Sequence, residues 1–223
     1  MPSQTFFDTD FNGELIYQKP FFYVTRGGFT SGVVPALYTG INPKSGVNIA
    51  VLANFPDPAN LTNPAVGPAT GFLVSNKACT KLKSTWVGCT TNNAEATINI
   101  PLRCLITVEA FRTAADDVPF AKQAFKFEPD PATLLGIPLL DPITKRLDLV
   151  SKPQQIFFDK LSAAYKFRVT AEILGSLEDA IPVRLPDEVL AELIESVGVS
   201  AVAMVSDDWS YTPYEQGASE CTA

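Results

Sequence analysis

The chain has 223 residues, 46% of them apolar and 18% charged, with no histidine. That composition supplies a buried core and argues against intrinsic disorder. The missing histidine excludes imidazole acid–base catalysis, His-containing triads and the commonest metal ligand. A net charge of −7 with Lys and Arg scattered and never three in a row offers no cation cluster to displace counterions from phosphates, so direct nucleic-acid binding is not expected.

Met1 to Asp10 is polar and acidic, without a basic n-region or apolar h-region, so no signal peptide is expected. No apolar stretch approaches the ~20 residues of a membrane helix. Leu15-Ile16-Tyr17 and Phe21-Phe22-Tyr23-Val24 read as aromatic strands separated at Lys19-Pro20. Arg26-Gly27-Gly28 lacks the phosphate-loop pattern and reads as a turn. Val33 to Thr39 reads as a short strand, Asn42 to Gly46 as a loop, and Val47 to Ala53 as a buried strand. Asn54 to Gly71 holds four Pro, three Asn and two Gly and reads as a long surface loop. It contains the glycosylation sequon Asn60-Leu61-Thr62.

Phe72 to Asn76, Cys79 to Val87 and Ala96 to Phe111 follow as strands. In the last, Ile98, Ile100, Leu102, Cys104, Ile106 and Val108 alternate with Asn99, Arg103, Thr107 and Glu109, the clearest period of two in the chain. Pro101 places that strand at a sheet edge or a bend. Lys77, Lys81 and Lys83 form the densest basic patch, read as the wet face of an edge strand or a contact with an acidic neighbour. None of Cys79, Cys89, Cys104 and Cys221 forms a C-x-x-C pair. Buried free thiols are the expected state of the first three, with a disulfide as the alternative, and Cys221 sits in a polar tail.

Residues 112–155 are punctuated by proline and read as an extended segment over a surface. Asp116-Asp117 could hold a cation from a loop but reads as a solvated turn, and Asp207-Asp208-Trp209 reads likewise. Pro129 separates Glu128 from Asp130 and prevents helical pairing. A glycosidase needs two opposed carboxylates about 5–10 Å apart, and no neighbouring pattern supplies them. Ser151 with Gln154 opens a predicted helix carrying Ile156, Phe157, Leu161 and Ala164, and Asp187 to Val197 is a second. Val199 to Val205 is a last apolar run, and the tail from Ser206 is expected to be loosely held. The aromatics Phe21, Phe22, Tyr23, Phe120, Phe125, Phe127, Phe157 and Phe158 suit a core better than a ligand cage. Leu37-Tyr38-Thr39-Gly40 and Thr85-Trp86-Val87-Gly88 echo one another through turn chemistry.

Trp86-Val87-Gly88, Ala96-Thr97-Ile98-Asn99-Ile100, Cys104 and a strand ending at Val108-Glu109 resemble the last strands of nodavirus-like icosahedral capsid proteins. Asp117-Val118-Pro119-Phe120-Ala121 and Asp130-Pro131-Ala132-Thr133-Leu134 occupy comparable places within residues 85–190, and Ala180-Ile181-Pro182-Val183 with Pro186 is similar to later Pro-Val runs. The start of the chain departs from the basic RNA-binding arm of that family. The resemblance implies a viral coat protein with a jelly-roll fold.

The expected fold is mainly β: an antiparallel β-sandwich, jelly-roll-like, with a short α-helical C-terminal extension. Residues 1–125 form the sandwich; 126–223 add the proline-rich segment and a helical or strand region, or continue the same domain. The expected function is non-enzymatic: a self-assembling shell subunit contacting its copies through Asn54–Gly71 and 112–155. Two alternatives are a monomeric β-sandwich binding or adhesion module and a carboxylate-based glycosidase. No catalytic residue, cofactor or metal site is expected. The expected location is a virion or other extracellular assembly, with synthesis in the cytoplasm because no signal peptide is visible.

Overall fold

The computed structural model describes residues 3–5, 21–25, 32–35, 41–42, 44, 48–53, 68–75, 77–91, 100–130, 151–182 and 202–221. Among the described residues eleven strands run in chain order: β1 Ser3–Thr5, β2 Phe21–Thr25, β3 Gly32–Pro35, β4 Asn48–Ala53, β5 Ala69–Ser75, β6 Cys79–Thr91, β7 Cys104–Phe111, β8 Ala121–Phe127, β9 Gln154–Phe157, β10 Lys166–Ile173 and β11 Val202–Tyr214. The described helix is one turn, α1 Leu177–Ala180, and a 3-10 turn spans Ser219–Cys221.

The strands form two antiparallel sheets. The first has the order β3-β4-β11-β6-β9, with β1 also paired to β11. The second has the order β2-β5-β10-β7-β8. Both sheets draw strands from before and after residue 125. Leu52, Leu82, Val87, Met204 and Trp209 of the first sheet and Leu73, Ile106, Val108, Phe167 and Val169 of the second belong to one core cluster. Within β10 the alternation is regular, Phe167, Val169 and Ala171 inward and Lys166, Arg168, Thr170 and Glu172 outward, as a strand with one wet face requires.

Several sequence expectations hold. Phe21–Val24, Asn48–Ala53, Phe72–Ser75 and Cys79–Val87 lie on strands, while Val47 lies outside the described residues. Ile100, Leu102, Cys104, Ile106 and Val108 are buried as the period of two requires, while Ile98 lies outside the described residues. Pro101 marks a bend: it bridges only to Thr90, and the strand begins at Cys104. That strand lies inside its sheet, between β10 and β8.

Other expectations are corrected. The helix over 151–164 is instead β9 plus a turn. Gln154, Gln155 and Phe157 stay exposed and only Ile156 points inward, a strand pattern satisfied by pairing with Ser84–Val87. Pairing with an existing sheet supplied what local helical spacing could not. The second helix, 187–197, lies outside the described residues. The loosely held tail is the largest correction: Ser206 to Tyr214 continues β11, in the middle of the first sheet. Ala69 to Gly71 opens β5 rather than ending a loop; residues 54–67 lie outside the described residues. Within the extended segment, Ala121–Phe127 is the edge strand β8, clear of the flanking prolines. Lys81 and Lys83 are exposed, but β6 is an inner strand, held by β11 and β9.

Free thiols are corrected too: Cys79 bonds Cys221, and Cys89 bonds Cys104. The second bridge joins β6 to β7 and so staples the two sheets together. The first ties the start of β6 to the turn after β11, which explains how a polar tail is held. Gly88 has its own reason: an added Cβ would meet the Ile41 side chain at 3.0 Å, so the strand gives up a side chain to admit a buried neighbour.

Candidate functional site

The outward side chains of the second sheet align in register rows, because antiparallel partners sit side by side on one face. One row is Thr70, Thr170, Thr107 and Ala124. The next is Phe72, Arg168, Glu109 and Lys122. On the other side of the threonines, Glu172 is paired with Leu105, which is paired with Lys126. These rows enclose an open groove of about 370 Å³, lined by Pro68, the three threonines, Glu109, Lys122, Arg168 and Glu172. Its volume falls within the range of small-molecule sites, roughly 300–1,000 Å³.

The floor is a hydroxyl ladder. Thr70 Oγ1 and Thr170 Oγ1 lie 3.4 Å apart, and strand spacing of about 4.8 Å sets the interval between them and Thr107. Along one wall the Glu109 carboxylate is clamped from both neighbouring strands. Arg168 Nε donates to its Oε2 at 2.7 Å, and Lys122 Nζ lies 3.7 Å from its Oε1. The Arg168 guanidinium also lies 5.3 Å from the Phe111 ring, which Lys166 covers at 4.7 Å. Lys166 in turn donates to the carbonyls of Ala114 and Asp116, pinning the β7–β8 turn beside the groove. The polar groups are therefore mounted on strands rather than loops, and Arg168 is held by both a carboxylate and an aromatic face.

The acidic pairs singled out in the sequence lie elsewhere. Asp116 accepts hydrogen bonds from the Thr113 hydroxyl at 2.8 Å and the Thr113 amide at 2.9 Å, closing the β7–β8 turn. The Thr113 hydroxyl, then its amide, hold the Asp116 carboxyl below the usual carboxylate range, with smaller help from the Arg112 amide and the Lys166 charge. This is the solvated turn expected. Asp207 and Asp208 are buried, contrary to a solvated turn. Asp207 Oδ2 accepts the Lys44 amide at 2.9 Å and Oδ1 the Asp208 amide at 2.8 Å. They sit in a bulge, where the pairing of β11 jumps from Asp207–Trp86 to Ser210–Ser84 and Asp208 takes a φ of +49°. Glu128 faces Arg103, with Oε2 3.1 Å from Nε. Lys77 meets Glu215 at 2.7 Å, an acidic neighbour within the chain itself. Among the described residues no group of three His, Cys, Asp or Glu side chains could hold a metal. No described helix is long and apolar enough to cross a membrane.

Sequence reasoning did not assemble the groove. Thr107 and Glu109 were visible as the polar half of the β7 alternation. Arg168, Thr170 and Glu172 carry the same signal in Lys166–Ile173, but only cross-strand register brings the two sets together.

No protein-family model matches the chain, and no curated protein matches its sequence. Among solved structures, the chain is similar to a DUF4465 family protein from Bacteroides caccae, with 12% identity over 87% of this chain and 72% of that one, at a TM-score of 0.39. The expected resemblance to nodavirus-like capsid proteins is corrected: no family model and no curated protein matches the chain, and the solved structure named above is bacterial, not viral. The residues behind that resemblance also sit differently, since Val108-Glu109 is mid-strand in β7 and Asp117-Val118-Pro119 belongs to a turn joining two neighbouring strands.

Proposed function

We propose that the chain is a non-enzymatic binding module that holds a small polar ligand on the outer face of its second sheet. The observation that carries this is the groove: hydroxyls, carboxylates, a guanidinium and an ammonium converge from three adjacent strands, β10, β7 and β8, with β5 adding Thr70. The backbone spacing of the two groove carboxylates favours binding over glycoside hydrolysis. Glu172 is paired with Leu105, four residues along β7 from Glu109, about 13 Å at the strand rise, beyond the ~5–9.5 Å of a hydrolytic pair.

The fold reading that goes with it is a jelly-roll sandwich. From β4 to β11 the described strands fill one sheet in the order β4-β11-β6-β9 and the other in the order β5-β10-β7-β8, two interleaved four-strand sets in which, among the described strands, β7 and β8 are the sole consecutive pair in one sheet. Jelly rolls host lectin domains among many others, so the fold permits the function without establishing it. Two disulfides support work outside a reducing compartment.

Self-assembly through residues 112–155 has less support than the groove. The described part of that segment pairs into its own sheet as β8, and Gln123 donates across to the Phe157 carbonyl at 2.9 Å and the Asp159 carboxylate at 2.7 Å, joining the edges of the two sheets. Titrating the ¹⁵N-labelled chain with a library of sugars, nucleotides, amino acids and organic acids tests the binding reading. Shift changes clustered at Thr70, Thr107, Arg168 and Thr170 are expected; changes confined to other surfaces, or none, would refute it.

A further inference from the structure

The groove is balanced in charge. Glu109 and Glu172 oppose Lys122 and Arg168, so its lining sums to zero although the whole chain carries −7. An anion entering it meets two carboxylates, and a cation meets a guanidinium and an ammonium. Neither gains the unopposed field that ion-binding clefts present. What the lining does offer is acceptors and donors side by side, over hydroxyls that can serve as either.

We infer that the groove's ligand is a neutral glycan, presenting a vicinal diol to the Glu109–Arg168 pair and further hydroxyls to the threonine row; this rests on the binding reading above. A sugar hydroxyl donates one hydrogen bond and accepts others. Adjacent hydroxyls can therefore give to the Glu109 carboxylate and take from the Arg168 guanidinium, whose Nε is already 2.7 Å from that carboxylate. Bonds to charged partners are about twice as strong as neutral ones, which offsets the loss of the hydroxyls' own hydration. The threonine row continues the pattern across three strands, with intervals set by the sheet rather than by mobile loops. Phe72, in register beside Arg168, ends the charged row with a half-buried ring over which Lys166 Nζ lies at 5.8 Å. The open groove suits an extended chain passing over it better than an enclosed monosaccharide.

Affinity electrophoresis of the full chain tests this, in gels containing neutral polysaccharides (β-glucan, mannan, xylan, galactomannan) or acidic ones (polygalacturonate, heparin). Retardation by at least one neutral polysaccharide, unchanged by added salt, is expected. Thr170→Val, which keeps shape and removes the hydroxyl, and Arg168→Gln should each weaken it about tenfold, and Lys83→Gln, exposed on the other sheet, should not. Melting curves matching the parent establish that each variant is folded. Retardation by acidic polysaccharides alone, abolished by salt, or by none of the six, overturns the glycan assignment, while the library titration separately decides whether the groove binds anything. Retardation by a neutral polysaccharide that all variants share equally places the site elsewhere and overturns the groove reading itself.

Discussion

Two carboxylates show how a single hydroxyl organises a turn. Asp116 is held by Thr113, and Asp179 by Ser176, whose hydroxyl donates to it at 2.7 Å and accepts the Asp179 amide at 3.1 Å, a reciprocal cap on α1. Both carboxyls titrate below the ordinary range because the hydroxyl and then the amide of one residue favour the charged form. A folded pKa below the unfolded one contributes stability above the ordinary carboxylate pKa, and that contribution disappears as pH falls through the lowered value. Thr113→Val should raise the Asp116 titration midpoint toward the ordinary value in a carboxyl NMR titration; an unmoved midpoint would show that Thr113 is not the cause. Ser176→Ala should do the same for Asp179 and cost about 1 kcal/mol, with faster amide exchange at Ala180, whose amide bonds the Ser176 carbonyl. Gly175, at φ +83° and with Asp179 Cβ 3.2 Å from where its own Cβ would stand, is the position before that cap where alanine should cost about as much.

Strand β7 carries both the core and the groove on its two faces. Ile106 is 1% exposed and in the core cluster, whereas Thr107 points to the groove at 9%. Ile106→Asp buries a charge with no partner and should cost more than about 4 kcal/mol, enough to unfold the chain. Thr107→Asp should leave it folded, with altered ligand binding, because a carboxylate there can reach water. Equal denaturation midpoints for the two variants would refute the register. Strand β11 makes the related point about bulges. Val202 and Met204 lie in the core before Asp208, and Trp209 and Tyr211 after it. Met204 and Trp209 are an odd number of residues apart, so a regular strand would turn one of them outward. The bulge corrects the phase, with Trp209 donating to Ser206 at 3.1 Å and stacking on Phe158 at 5.8 Å.

For the whole molecule the two disulfides differ in access. Cys89 and Cys104 are both fully buried between the sheets, while Cys221 sits in a partly exposed terminal turn. Mild reductant should therefore open Cys79–Cys221 first, leaving Cys89–Cys104 intact until the fold opens, as thiol alkylation and mass spectrometry of the native protein will show. The reverse order would mean that the sheets part more easily than the C-terminal turn. Replacing Cys79 and Cys221 by serine removes a link across 142 residues and should cost roughly 2–5 kcal/mol. Sedimentation at high micromolar concentration should give a monomer if the groove is the functional surface. Among the described residues the large apolar side chains left exposed are Val118 and Phe157. A larger species would return self-assembly to first place.

The sequence by itself determined a mainly β chain. Its period of two over Ile100 to Val108, its aromatic strands and the lack of histidine all follow from residue type and local spacing, which act within a few residues. What needed the tertiary structure is non-local. Gln154–Phe157 became a strand because β6 offered an open edge, and a polar, acidic C-terminus became the central strand because β4, β1 and β6 flank it and Cys221 anchors its end. The cysteine pairs join residues 142 and 15 positions apart, distances over which spacing carries no pairing information. The groove is the same case: Thr70, Thr107 and Thr170 stand scores of residues apart, and only strand register sets them in one row.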